Sequence, residues 1–341
     1  MGLCPQCAYD LKHDFRTGCS ECGWEMGISS FPMASAASTS SVLCSAREIA
    51  ADIKLHHSIF ALPFAVLGAF MAAAPPRDSI DWARFGGQLA LIVVAMFFAR
   101  TVAMLANRLL DRGFDARNPR TAGRALPSGR VTTRSAAVAL VAAAAGFVGV
   151  CLGFGFLYDN WWPAALGVPV LAWLAAYPLL KRFTALCHLY LGASLALSPL
   201  AAAIAVQPDA ILAQPSLWLL AAMVLCWVSG FDIIYALQDV EVDRRFGQFS
   251  IPARMGERAA LVVSRLLHAT AVGCLVGATV LDGRLGVLFG MGVVIVAGLL
   301  LYEHLTVGRW GASKMALAFF TLNGIIGCAL GLLGVADILT N

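Results

Sequence analysis

The chain has 341 residues, of which 60% are hydrophobic and only 13% carry a charge. Soluble domains run at about 45–50% apolar and about 25% charged, so this composition and a mean hydropathy of +0.78 exclude an ordinary soluble globule. The formal net charge of +4 is too small to signal nucleic acid as a partner, and none is expected.

The first predicted element, residues 1–26, is a small polar module. Cys4-Pro-Gln-Cys7 and Cys19-Ser-Glu-Cys22 are two C-x2-C knuckles. Four thiolates so spaced close a tetrahedral structural Zn²⁺ site with no open position for catalysis, and the module resembles a zinc ribbon. Its polar start lacks the basic-then-apolar order of a secretory signal peptide. Residues 27–45, rich in Ser and Ala, read as a flexible linker. Beyond Cys44 the remaining cysteines lie singly in apolar runs, where they act as small apolar residues rather than as a disulfide framework.

Residues 46–341 form the membrane domain. Spanning the hydrocarbon takes roughly 20 apolar residues. Nine segments qualify: about 55–74, 85–106, 134–156, 162–180, 184–206, 216–238, 258–281, 285–304 and 314–337. Their long, nearly charge-free runs predict helices and not porin strands, which alternate apolar and polar. The expected fold is an all-α membrane protein, a nine-transmembrane-helix bundle in the lipid bilayer with the Cys4 module in front. If the N-terminus is cytoplasmic, only Arg77, Arg84 and Arg284 of the 24 basic residues fall on the far side. This asymmetry predicts a multi-pass protein of a bacterial-type inner (cell) membrane, with N-terminus and site mouth cytoplasmic.

Two acidic patterns stand at the ends of predicted helices. The first is Asn107-x3-Asp111-x3-Asp115 after the second helix. Steps of four keep side chains on one helical face, so these oxygens form a stripe leaving the membrane. The second is Asp232-x2-Tyr235-x3-Asp239-x3-Asp243 at the end of the sixth helix, again one face, with Glu241 pointing elsewhere. Carboxylates at bilayer depth cost on the order of 2.5–3.5 kcal/mol each, and a compensating cation is needed. Oxygen-only donors suit Mg²⁺, which is commonly shared with a substrate phosphate. Arg120, Arg124, Lys181 and Arg182 lie beside the acidic residues and are placed to hold that polyanion.

These segments resemble the signatures of UbiA-type intramembrane prenyltransferases, the 4-hydroxybenzoate polyprenyltransferase family. The first signature is matched by the Asn107–Asp115 pattern followed by Arg120-Thr-Ala-Gly-Arg124-Ala-Leu-Pro-Ser-Gly129. The second is matched by Tyr235-Ala-Leu-Gln-Asp239-Val-Glu-Val-Asp243, and Tyr177-Pro-Leu-Leu-Lys181-Arg182 resembles a third segment. The resemblance covers about 46–338. It implies a nine-helix bundle around a large cavity, with Asn107, Asp111, Asp115, Asp239 and Asp243 holding two Mg²⁺ and the diphosphate, and with Lys181 and Arg124 on phosphate oxygens. Ala125 and Phe249 depart from the family's usual proline and lysine. With Gly230-Phe-Asp232 they resemble the branch that prenylates 4-hydroxybenzoate or, in menaquinone synthesis by the futalosine route, a dihydroxynaphthoate.

The expected reaction is therefore Mg²⁺-dependent transfer from a polyprenyl diphosphate to a phenolic aromatic acid, in ubiquinone or menaquinone biosynthesis. Tyr177 and Tyr235 are expected to line the ring site, Asp232 to orient the acceptor, and Lys54 to reach its carboxylate. Glu303, His304 and Asn323 are expected to meet in a polar contact near the cavity. A transporter with intramembrane carboxylates is the alternative of another class.

Overall fold

The computed structural model describes Glu48 and residues 60–73, 80–310 and 321–341, with the side chains of 308–310 excepted. The described residues all belong to one compact unit, Glu48–Asn341. The four cysteines of the zinc site, the linker 27–45, and Lys54 with His56 and His57 lie outside the described residues.

All regular structure among the described residues is helical: α1 Leu62–Ala73, α2 Trp82–Asp115, α3 Thr133–Tyr158, α4 Trp162–Leu180, α5 Cys187–Val206, α6 Ala210–Ala213, α7 Pro215–Ala236, α8 Val240–Arg245, α9 Ile251–Met255, α10 Glu257–Leu281, α11 Val287–Trp310 and α12 Asn323–Thr340. Eight of these described helices are long and apolar enough to cross a membrane, the seventh helix being counted together with α8. The expectation of nine spans is met only to that extent. The described part of the first segment is α1, whose 12 residues are too few to cross a bilayer on their own.

Local chemistry sets the helix starts. Asp81 caps α2, accepting from the Arg84 N–H at 3.1 Å, and Thr132 caps α3, accepting from Ser135 N–H at 3.0 Å. Pro215 occupies the first turn of α7, where a missing N–H costs nothing. Pro169, Pro178 and Pro199 sit inside α4 and α5, which packing against neighbouring helices tolerates.

The helix α7 is the centre of the bundle: 67% of its apolar window is buried, against 17–50% for the other spans. It packs between α5 and α10, and Trp227 and Phe231 on α7 meet Phe64 and Phe60 from the α1 region. Gly192 on α5 allows the close approach, because a Cβ there would collide with the Leu225 carbonyl and the Ser229 hydroxyl of α7. Outward-facing Phe156 (75% exposed) and Val294 (73% exposed) are the kind of surface a lipid environment covers.

Hydrogen bonds between helix ends define two faces of the bundle. At one, Arg84 reaches the Tyr158 carbonyl, Asn160 the Ile204 carbonyl, Ser216 donates to Asp282, and Arg284 donates to the Met71 carbonyl. At the other, Arg112 meets Thr133, Arg182 donates to the Leu110 carbonyl, and the Phe249 N–H donates to the Lys181 carbonyl. The ends of α2, α4 and α7 thus share one face. Both acidic segments lie there.

Candidate active site

The helix α2 continues without a break for 34 residues to Asp115, past the limit at 106 that hydropathy suggested. Asn107, Asp111 and Asp115 are therefore successive steps on one regular helix. Asn107 Nδ2 donates to Asp111 Oδ2 at 3.3 Å, and its own Oδ1 accepts from Arg108 at 3.1 Å.

The second acidic segment is not one continuous α-helix. The α7 helix stops at Ala236, Leu237–Asp239 form a 3-10 turn, and α8 follows. Asp239 has φ −108° and ψ 6°, the sparsely populated bridge region. Its carboxylate is held from the α2–α3 loop: Arg120 binds both oxygens, and Asn118 Nδ2 donates to Oδ1 at 3.3 Å. After α8 the chain turns back at Gly247, whose φ of +66° suits glycine, while Gln248 N–H closes onto the Asp243 carbonyl at 2.8 Å.

A cavity of about 1550 Å³ is bounded mainly by α2, α4, α5 and α7. Asn107, Asp111, Asp115, Arg120, Arg124, Tyr177, Lys181, Asp232, Tyr235, Asp239 and Asp243 all line it. Among the described residues, the acidic, tyrosine and basic residues singled out in the sequence for the magnesium, diphosphate and ring sites thus meet around one space, with the exception of Arg182. Glu241 is exposed and lies off the wall, as its spacing predicted.

Charge in the cavity is closely matched. Arg124 Nη1 lies 2.8 Å from both oxygens of Asp115. Asp243 accepts from the Ser250 hydroxyl at 2.7 Å, and Asp232 pairs with His188 at 2.7 Å. Arg120 also donates to the Tyr235 hydroxyl at 3.3 Å and covers its ring. Lys181, just past the end of α4, is held above the usual lysine range by Tyr177 first and, against the cost of burial, by Asp232 and Asp243.

The donor set fits Mg²⁺. It consists of carboxylate and amide oxygens. Among the described residues no three carboxylates converge as a ready-made cage. Mg²⁺ keeps waters and is bound through one or two carboxylates plus substrate phosphates. Asp115 and Asp239 are each engaged by an arginine, a side chain whose planar fork also suits phosphate oxygens.

Three sequence expectations need correction. Arg182 does not line the cavity; it braces α2 from outside, donating to the Leu110 carbonyl at 2.7 Å and lying 3.8 Å from Asp111. Adjacent residues past a helix end point in different directions, and only Lys181 points inward. Asn323 does bond Glu303 at 3.2 Å, but both are away from the cavity, and His304 pairs with His268 at 3.0 Å instead. The second acidic stripe is interrupted by the 3-10 turn, although its members still share the wall.

Sequence reasoning passed over Asn118, His188 and Arg100. Arg100 lines the cavity seven residues before Asn107, about 10 Å further in at 1.5 Å per residue. A lone arginine inside an apolar run is itself a signal. His188 carries no such mark. Apolar side chains such as Ile92, Phe97, Phe147 and Phe154 complete the inner walls.

A family model described as the UbiA prenyltransferase family matches residues 61–333. A 4-hydroxybenzoate octaprenyltransferase from Pectobacterium atrosepticum is 30% identical over 226 residues, 65% of this chain and 74% of that protein. The apo structure of a UbiA homolog from Aeropyrum pernix K1 superposes with a TM-score of 0.69 at 28% identity, covering 84% of this chain and 98% of the other. A UbiA homolog from Archaeoglobus fulgidus, bound to DMAPP and Mg²⁺, has a TM-score of 0.63 at 18% identity, covering 89% and 100%. That last likeness is one of fold.

Proposed function

The chain belongs to the UbiA prenyltransferase family, and from that premise we propose that it transfers a polyprenyl group from its diphosphate to 4-hydroxybenzoate in quinone biosynthesis. The observation that carries this reading is the meeting of both acidic segments on one cavity whose inner walls are apolar. Family membership decides for a transferase over a transporter.

Asn107, Asp111 and Asp115 from α2, with Asp239 and Asp243 from beyond α7, would hold Mg²⁺. When bound, the metal neutralises charge building on the leaving diphosphate. The remaining work falls to the protein's own side chains. Arg120 and Arg124 from the α2–α3 loop and Lys181 from the end of α4 bind phosphate oxygens. Ile92, Phe97, Phe147 and Phe154 accommodate the prenyl tail and keep water from the allylic cation. Tyr177 and Tyr235 line the space where that cation meets the acceptor ring. Arg100, a cavity-lining cation set deeper than the diphosphate residues, takes the acceptor carboxylate. Lys54, expected for that role, lies outside the described residues.

The resemblance carried by Ala125, Phe249 and Gly230–Asp232 is shared by a branch that takes a dihydroxynaphthoate, as in futalosine-route menaquinone synthesis, and that acid is the second reading. Membranes containing the protein, given Mg²⁺ and a polyprenyl diphosphate, should prenylate one of the two acids, identified by product mass. Turnover of neither would sink the reading. We place the N-terminus and the cavity mouth on the cytoplasmic side. Of the described basic residues, Arg84 and Arg284 mark the opposite face. Cys4, Cys7, Cys19 and Cys22 are read as a structural Zn²⁺ site on spacing alone; zinc bound to the full chain should fall on Cys4→Ser substitution.

A further inference from the structure

Diphosphate binding leaves one cavity-lining carboxylate, Asp232, unused. Asp232 sits on α7 seven residues before Asp239, about 10 Å further into the cavity. Its Oδ2 lies 2.7 Å from His188 Nδ1. His188, at the start of α5, is fully buried. Its other ring nitrogen, Nε2, lies 3.3 Å from the Ile251 backbone N–H.

An amide N–H can only donate, so Nε2 is the acceptor in that bond. The imidazole is then neutral, with its proton on Nδ1 and directed at Asp232. The bonds on the two sides of the ring fix the tautomer. The same bond pins Asp232 Oδ2 and leaves Oδ1 for the cavity that Asp232 lines. The other cavity carboxylates have roles already: Asp115 pairs with Arg124, Asp239 with Arg120 and Glu48 with Arg130, while Asp111 and Asp243 are assigned to the magnesium–diphosphate set. His188 cannot act as a base itself, since one nitrogen carries a proton and the other is capped.

We propose that Asp232 removes the ring proton of the aromatic acceptor and that His188 positions it for that step. The proposal rests on the aromatic-transfer reading above. The C1–O bond of the donor breaks and its electron pair leaves with the diphosphate. Ring π electrons form the new bond to C1. The C–H bond at the same ring carbon then breaks: the proton goes to Asp232 Oδ1, and the electron pair restores the aromatic ring. Asp232 passes the proton to water as product leaves.

The test uses the full chain in membranes, with a donor carrying oxygen-18 in its C1–O bridge. The acceptor is whichever of the two acids the wild type prenylates, deuterated at the reacting carbon. Asp232→Asn should still scramble the bridge label into the diphosphate, showing a folded site that ionises its donor. Its product formation should fall about 10²–10⁴-fold, the range for losing a general base, with a larger isotope effect than wild type. His188→Asn keeps a donor near Nδ1, whereas His188→Gln keeps an acceptor near Nε2. The Asn variant should retain more activity than the Gln variant.

Wild-type turnover by Asp232→Asn, loss of label scrambling in it, or an unchanged isotope effect would overturn the proposal. So would rescue by Gln and not Asn, which would assign His188 to the Ile251 loop alone. A wild type that scrambles label yet prenylates neither acid would instead remove the acceptor reading beneath it.

Discussion

Arg120 and Asp239, 119 residues apart, form a two-point contact in which Nε donates to Oδ1 at 3.0 Å and Nη2 to Oδ2. The fork ties the loop after α2 to the turn after α7, and so joins the two acidic segments. A lysine at this position keeps the charge and loses the planar fork. Arg120→Lys is expected to weaken binding of the diphosphate donor about tenfold. A fully buried fork would cost more, but Arg120 is 36% exposed and solvent screens the contact. Donor titration at fixed Mg²⁺ measures this; unchanged affinity would separate Arg120 from the diphosphate.

Arg100 shares the cavity with the acidic residues but stands about two helical turns deeper than Asn107. Arg100→Leu should raise the acceptor KM by about tenfold or more, as expected for a lost charged hydrogen bond, and leave the donor KM nearly unchanged. A rise in the donor KM alone would place Arg100 with the diphosphate.

The opposite face carries a pH-sensitive contact. Burial of Asp282 disfavours its charge, but hydrogen bonds and charge from Arg284, together with the Ser216 hydroxyl, prevail and hold its carboxyl below the usual range. A carboxyl depressed in the folded state stabilises the protein above its unfolded pKa, about 3.9. That contribution is lost as pH falls through the lower folded value. Asp282→Asn should therefore lower Tm near neutral pH, and the gap from wild type should narrow below about pH 4. A gap independent of pH would mean that shape, not charge, sets the contact.

Much of this site was legible because its logic is local. The three steps of Asn107, Asp111 and Asp115 follow from helical periodicity alone, and α2 obeys it to Asp115. The interruption at Leu237–Asp239 has no Gly or Pro to announce it; the partners that hold Asp239 there, Asn118 and Arg120, come from a distant loop. His188 was hidden for a related reason. It stands in an apolar stretch, and its partners Asp232 and Ile251 are 44 and 63 residues away. Arg100 was visible in principle, as one charge within an apolar run, but hydropathy averaging absorbed it. Lys181 and Arg182 show the limit of composition: one lines the cavity and its neighbour braces a helix outside it.

The most direct measurement is Mg²⁺-dependent binding of a non-hydrolysable prenyl diphosphate analogue to wild type, Asp111→Asn and Asp239→Asn. If α2 and the turn after α7 build one metal–diphosphate site, each single variant loses the magnesium-dependent part of binding while remaining folded in membranes. Retention of that part by either variant would show that the two carboxylates do not serve the same ion-bound diphosphate.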